Sequence, residues 1–170
     1  MSEKPAILFG EDEIAARLGG IARDIAPLKP DLAVAILVGG FVFAADLVRA
    51  LAREGIHVEV EFLWLRSYGN ARTGSAISLL AGPSENVRGK KILLIDGVLD
   101  VGRTILKAQQ LLVAAGAAAM TTAVAVDKGR SDAVAGADYA MFTGVEDFIV
   151  GYGMDEAGRH RGLPYIGLAG

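Results

Sequence analysis

Three apolar runs, separated by stretches with helical periodicity, constrain this chain more than any other feature. The runs are "DLAVAILV" (31–38), bounded by Pro30 and Gly39-Gly40, then "KILLID" (91–96) and "TTAVAV" (121–126). A strand that is apolar at nearly every position has no face to give to water, so both of its faces must be covered. The stretches between the runs supply the covers. Ile14, Leu18, Ile21 and Ile25 fall on one helical face, "FVFAADLVRALAREG" reads as a helix closed by Gly55, and a third helix is expected from about Thr104 to Gly116. The β-α-β-α-β order predicts an α/β fold with a mainly parallel twisted sheet flanked by helices. Ligands of such sheets bind at the carboxyl ends of the strands.

The remaining segments are less regular. "HVEVEFLWL" alternates polar and apolar residues, as a strand with one less buried face would, and "ADYAMFTG" and "DFIVGYGM" are strand-like. Trp64, within the first of these, is expected to pack rather than to stack on a ligand. From Arg66 to Glu85, "RSYGNARTGSAISLLAGPSE" reads as a long loop of the kind that forms lids. The uncharged run Ala108 to Val126 contains Gln109, Gln110, Gly116, Thr121 and Thr122, so it reads as helix then strand, not as a membrane span. "MSEKPAILFGEDEIAARL" has no continuous apolar segment of the export type. With 170 residues, 52% of them apolar and 22% charged, one domain over 1–170 is expected.

Charge and cysteine usage narrow the function classes. A net charge of -3 gives no general attraction to nucleic acid or to anionic membranes, so any phosphate affinity must be local. Without cysteine the chain can form no disulfide, thiol nucleophile or cysteine-bound zinc site, which suits a reducing cytoplasm. His57 and His160 show no metal-ligand spacing and read as surface or packing residues.

The chemistry concentrates in "KILLIDGVLDVGRTI" (91–105). A strand-to-helix turn presents unpaired N–H groups and the positive end of a helix dipole, both suited to phosphate. From Gly97 the stretch spells G-x-x-x-x-G-R-T, close to a nucleotide triphosphate P-loop, with Asp127 as a candidate metal acid. That reading is weak, because Arg103 would replace a compact ammonium with a planar fork. In the bland reading, the glycines shape a turn and Thr104 caps the helix.

From Asp96 the same stretch resembles the phosphoribosyl diphosphate (PRPP) signature of type I phosphoribosyltransferases, in which two acids and two apolar residues precede Asp-Thr-Gly-x-Thr. The resemblance spans nearly the whole chain and is strongest to the hypoxanthine-guanine branch. It includes "LVGGFVFAADLVRAL", "VEFLWLRSYGN", "VRGKKILLID" and "VEDFIVGYGMDEAGRHRGLPYIG". It implies the type I fold, in which the terminal segments form a small hood over the sheet. It also implies transfer of a 5-phosphoribosyl group to N9 of hypoxanthine or guanine, giving IMP or GMP and pyrophosphate in purine salvage. Magnesium is the implied cofactor, and a cytoplasmic homodimer or homotetramer the implied assembly, with the helix face from Val42 to Leu51 as its contact.

The site residues implied by the resemblance are distributed along the chain. Asp96 meets the ribose, while Asp100, Val101, Gly102, Arg103 and Thr104 wrap the 5′-phosphate, Asp100 also handling the purine N7 proton. Val38 and Gly39 hold pyrophosphate through the backbone, often with a cis peptide at the step assigned to Val38-Gly39, and Arg161 contacts pyrophosphate as it leaves. Ser67 and Tyr68 begin the lid. Lys128 meets the 6-oxo group, Phe148 stacks on the ring, Ile149 reads its edge, and Asp155, beside the purine, helps hold magnesium.

Three positions depart from the family pattern: Gly97 stands where a second acid is usual, Val101 where Thr or Ser is, and Val38 where Arg or Lys is common. Each lost contact is expected to weaken binding by about 1.5–3 kcal/mol, and restoring Gly97→Asp and Val101→Thr is expected to tighten it. The departures leave a second reading open, a non-catalytic relative that binds nucleotide or PRPP as a regulator, or one with altered substrate.

Overall fold

The computed structural model describes residues 4–68 and 76–169. The first apolar run forms β2 of the strand series, which begins with β1 (Ala6–Phe9) and continues through β2 (Leu32–Leu37), β3 (Glu59–Tyr68), β4 (Ala76–Ala81) and β5 (Lys91–Leu99). β6 (Ala119–Asp127), β7 (Tyr139–Thr143), β8 (Ile149–Val150) and β9 (Ile166–Leu168) complete it. The helices are α1 (Glu11–Ile25), α2 (Phe41–Arg53) and α3 (Arg103–Ala114). The main sheet has the order β4-β3-β2-β5-β6-β7, parallel except for the antiparallel edge strand β4.

Burial on both faces follows from the alternation of side chains along β5. Leu93 and Ile95 join the layer under α1 and α2, with Ile14, Leu18, Phe43 and Leu47. Ile92 and Leu94 turn to the opposite layer, where they meet Ile105, Ala108 and Leu112 of α3. A period of two over a fully apolar segment thus feeds two cores at once. The expected contact face of α2 is largely consumed in this way. Phe43, Ala44, Leu47, Ala50 and Leu51 are buried within the chain itself, so only the other side of α2, with Ala45 and Arg49, faces outward.

The terminal segments form a second, three-stranded antiparallel sheet of order β1-β9-β8, in the place the hood was expected. It is attached to the edge of the main layer by Phe9, whose ring stacks on Phe142 of β7 at 3.8 Å and 9°. Strands β1 and β9 were not expected from the sequence. Each is only three or four residues long, too short for a period-2 pattern to stand out.

The segment expected to be a long loop from Arg66 to Glu85 is a correction. β3 continues to Tyr68, and β4 returns antiparallel to it, pairing Ser67 with Ile77 and Arg66 with Ser78. The glycine- and serine-rich flanks conceal a short apolar strand, "AISLLA", that gains its partner only across the hairpin. The proposed lid beyond Tyr68, residues 69–75, lies outside the described residues, as does the Tyr68 side chain. Among the described residues, no helix is long and apolar enough to cross a membrane.

Candidate active site

The parallel pairing of β2 with β5 and of β5 with β6 brings three loops to one end of the sheet. They are the turn after β2, the turn from β5 into α3, and the loop after β6. Together with the segment after β8 they enclose a cavity of about 740 Å³. Its walls include Val38, Gly39, Ser67, Asp96, Asp100, Val101, Gly102, Arg103, Thr104, Phe148, Ile149, Asp155 and Arg161, positions dispersed over 124 residues of sequence.

The turn into α3 has the shape expected of an anion-binding loop. Gly102 is the helix N-cap at φ 84°, and Leu106 donates its N–H to the Gly102 carbonyl at 2.9 Å. A Cβ at Gly102 would meet the backbone of Ala135 at 3.0 Å as well as lying in the left-handed region, so glycine is required twice over. Gly97, by contrast, is a residue of β5 and not of the loop. This overturns the P-loop reading, because the first glycine of the apparent motif cannot cradle phosphate from within a sheet ladder.

Gly97 also changes the meaning of the missing acid. A Cβ built there would lie 2.6 Å from the carbonyl oxygen of Gly39, and one at Gly153 would lie 2.5 Å from the same oxygen. The Gly39 carbonyl is therefore seated between two glycines, one on β5 and one in the turn after β8. The turn after β2 occupies the space that a side chain at position 97 would take. The expectation that an acid restored there would simply tighten binding is corrected on steric grounds.

The cis peptide in this turn joins Leu37 to Val38, one bond before the step expected from the sequence. Leu37 is the last residue of β2 in register with β3, paired with Trp64, so the turn begins at its carbonyl. No proline marks the bond, so the residues themselves do not say which step is cis.

Asp96 is buried within β5, and its Oδ1 accepts the N–H of Gly97 at 2.7 Å. Burial pushes its carboxyl up to about 7, and the Gly97 hydrogen bond offsets only part of that. A neutral or half-ionised acid at the cavity floor can donate or accept a hydrogen bond, and arriving hydroxyl donors or a cation would favour its charged form.

On the opposite wall, Asp155 and Arg161 form a pair at 2.6 Å, and Asp155 Oδ2 also accepts the N–H of Gly158 at 2.6 Å. Arg161 Nη1 donates to the Gly153 carbonyl at 2.7 Å, fixing the guanidinium beside the Gly39 turn. Among the described residues no three acidic or histidine side chains cluster as a metal cage. The carboxylates that line the cavity suit a hard cation that arrives with phosphate ligands and needs only one or two protein oxygens. Asp155, with both oxygens engaged, would bind it through remaining lone pairs or through water.

Lys128 is the site residue that does not reach the cavity. Its ammonium donates to the Asp147 carbonyl at 3.0 Å and lines an adjoining depression with Glu146. Phe148 stands at the cavity rim, 59% exposed, where a planar ligand could cover it. Two charged wall residues were not foreseen, Arg130 and Asp132. Their i, i+2 spacing after β6 was the available signal, but like most surface charge pairs it has no meaning until the loop's position is known.

Comparisons with known proteins follow the same lines as the geometry. A family model described as "Phosphoribosyl transferase domain" matches residues 5–157. The chain is 31% identical to the hypoxanthine phosphoribosyltransferase of Escherichia coli K12, over 98% of this chain and 96% of that one. It is 32% identical to the hypoxanthine-guanine phosphoribosyltransferase of Streptococcus pneumoniae R6, over 95% and 91%. Among solved structures, the Trypanosoma cruzi hypoxanthine phosphoribosyltransferase in complex with the product IMP superposes with a TM-score of 0.86 at 27% identity, covering 100% of this chain and 97% of that one.

Two measurements test the floor of the cavity. A carboxyl raised from 3.8 to about 7 binds a proton in the folded state that the unfolded chain has released. Its contribution to stability is fully present below the unfolded value and is lost as pH rises through the folded one. In urea titrations from about pH 5 to about pH 8, Asp96→Asn should gain stability relative to the wild type by a few kcal/mol; a difference constant with pH would refute the buried acid. Gly97→Asp should lower the urea midpoint, by about 1–3 kcal/mol in free energy, because a backbone carbonyl has to move. An unchanged midpoint would show that the turn after β2 yields freely.

Proposed function

Because the chain belongs to the phosphoribosyl transferase domain family, we propose that it transfers the 5-phosphoribosyl group from PRPP to N9 of hypoxanthine or guanine, giving IMP or GMP and pyrophosphate in purine salvage. The observation that carries this reading is the convergence on one cavity of an anion-binding turn bearing Asp100, a rim aromatic at Phe148, and the Asp155–Arg161 pair. These are the three contacts that a sugar phosphate, a planar base and a leaving pyrophosphate require.

The residues divide the work by position. Backbone N–H groups from Asp100 to Thr104, the Thr104 hydroxyl and the N-terminal end of α3 hold the 5′-phosphate. Asp96 accepts ribose hydroxyls without a second acid beside it. Phe148 stacks on the purine, the Ile149 backbone meets the ring edge, and Lys128 exchanges the Asp147 carbonyl for the 6-oxo group.

In the transfer itself the bond from ribose C1 to pyrophosphate breaks, and the leaving group takes the electron pair. The bond from C1 to N9 forms, and the proton displaced from the purine passes through N7 to Asp100. Arg161 and the turn at Val38 and Gly39 receive the growing negative charge of pyrophosphate. Magnesium, held in part by Asp155, would neutralise that charge further. Ser67, at the cavity wall, and Tyr68 lead into the segment that would exclude water.

An assembly of two or four copies in the cytoplasm completes the reading. Val60, Phe62 and Trp64, on one face of β3, are 45%, 50% and 38% exposed, and Phe41 at the start of α2 is 40% exposed. A stripe of this kind beside the cavity favours a partner surface, and Trp64 belongs to it rather than to the core. Phe62→Glu should reduce the molecular mass found by sedimentation to that of one chain, whereas a wild type that already sediments as a monomer would contradict the assembly.

The activity is tested by incubating the protein with PRPP, magnesium and hypoxanthine or guanine and following nucleotide formation. Turnover is expected, and Asp100→Asn should reduce kcat by roughly 10²-fold or more with a smaller change in PRPP affinity. Nucleotide binding without turnover on any 6-oxopurine would instead favour a non-catalytic regulator, the class suggested by Gly97 and Val101.

A further inference from the structure

Asp100 stands half exposed at the cavity wall, and a carboxylate in that position needs something to aim it. The loop after β6 supplies a candidate. Arg130 grips Asp132 through two parallel hydrogen bonds, Nε to Oδ1 at 2.8 Å and Nη2 to Oδ2 at 2.9 Å. The same Nε lies 3.4 Å from Asp100 Oδ1. All three side chains line the main cavity.

The two loops that carry this triad are fastened together by their backbones. Lys128 donates its N–H to the Leu99 carbonyl at 2.9 Å, and Val134 donates to the Val101 carbonyl at 2.8 Å. These bonds bracket both Asp100 and Arg130. Gly102, lacking a Cβ, lets Ala135 sit directly against the turn. The guanidinium is thus carried on a loop that cannot drift from the phosphate-binding turn without breaking paired backbone groups.

The distances assign different tasks to the two acids. The bidentate pair with Asp132 fixes the plane of the guanidinium and engages its single Nε–H. Asp132 is held below the usual carboxylate range by that hydrogen bond. At 3.4 Å, Asp100 feels the positive charge without being locked into a full hydrogen-bonded pair, so its outer lone pairs stay available for a proton.

We propose that Arg130, oriented by Asp132, is a positioning residue that aims the Asp100 carboxylate at the proton it must take. The proposal rests on the phosphoribosyl transfer reading above. It predicts an effect on the chemical step rather than on binding, since neither Arg130 nor Asp132 is assigned a contact to PRPP or to the base.

The test is steady-state kinetics on the full chain for the wild type, Arg130→Gln, Arg130→Lys and Asp132→Asn, with IMP affinity measured by calorimetry on each. Arg130→Gln should lower kcat by roughly tenfold, while KM for PRPP and IMP affinity stay within about twofold. Arg130→Lys keeps the charge and loses the fork, so it should recover part of the loss. Asp132→Asn should fall in the same direction as Arg130→Gln, and the double variant should be no worse than the poorer single one. An unchanged kcat in Arg130→Gln would overturn the proposal while leaving the transferase reading intact. A change confined to KM for PRPP would also overturn it, by making Arg130 a direct phosphate contact. A wild type without turnover would instead remove the transferase reading and this inference with it.

Discussion

The parallel pairing of β5 with both β2 and β6 is the constraint on which the rest of the molecule depends. Parallel strands cannot be joined by tight hairpins, so the chain passes from β2 to β3 through α2 and from β5 to β6 through α3. The carboxyl ends of the five parallel strands therefore point the same way. The turn after β2, the turn into α3 and the loop after β6 are neighbours only because of that register. Any change that freed β5 from either neighbour would disperse the cavity as well as the core.

A second dependence is steric. The carbonyl of Gly39 fits between Gly97 and Gly153, two positions where any Cβ would come closer than 2.7 Å to it. Through that seat the turn after β2, strand β5 and the segment carrying Asp155 and Arg161 make one packed unit. The replacement of an acid by Gly97 is thus not a simple subtraction. What a side chain would have offered as a ligand, the backbone of a neighbouring turn takes as space, and Asp96 is left as the buried acid of the floor.

Much of this was legible in the residues. The apolar runs located β2, β5 and β6, because strands buried on both faces are apolar at nearly every position. The helices α1 to α3 followed from spacing, and "LDVGRT" marked the turn that α3 completes. What failed to show was whatever depends on a partner outside its own segment. β4 needed β3, β1 needed β9, and each alone is a few residues of unremarkable composition. Nor did the residues show that the Lys128 ammonium donates to the Asp147 carbonyl, 19 residues further along the chain. Trp64 was assigned to packing because it alternates with acidic residues in β3. Which face of β3 is covered is decided by what packs on the sheet, and Val60, Phe62 and Trp64 lie on the face left open.

The sequence by itself determined the class of fold, the order of its elements and the group of residues from which a site could be built. Hydrophobic periodicity and the backbone demands of glycine act locally and leave their record in the chain. Only the tertiary structure decided that the cis bond falls at Leu37-Val38, that the Gly39 carbonyl fills the place of the absent acid, and that Arg130 and Asp132 stand beside Asp100. Those outcomes are set by close contact between loops far apart in sequence, and contact distance is a property that no single segment carries.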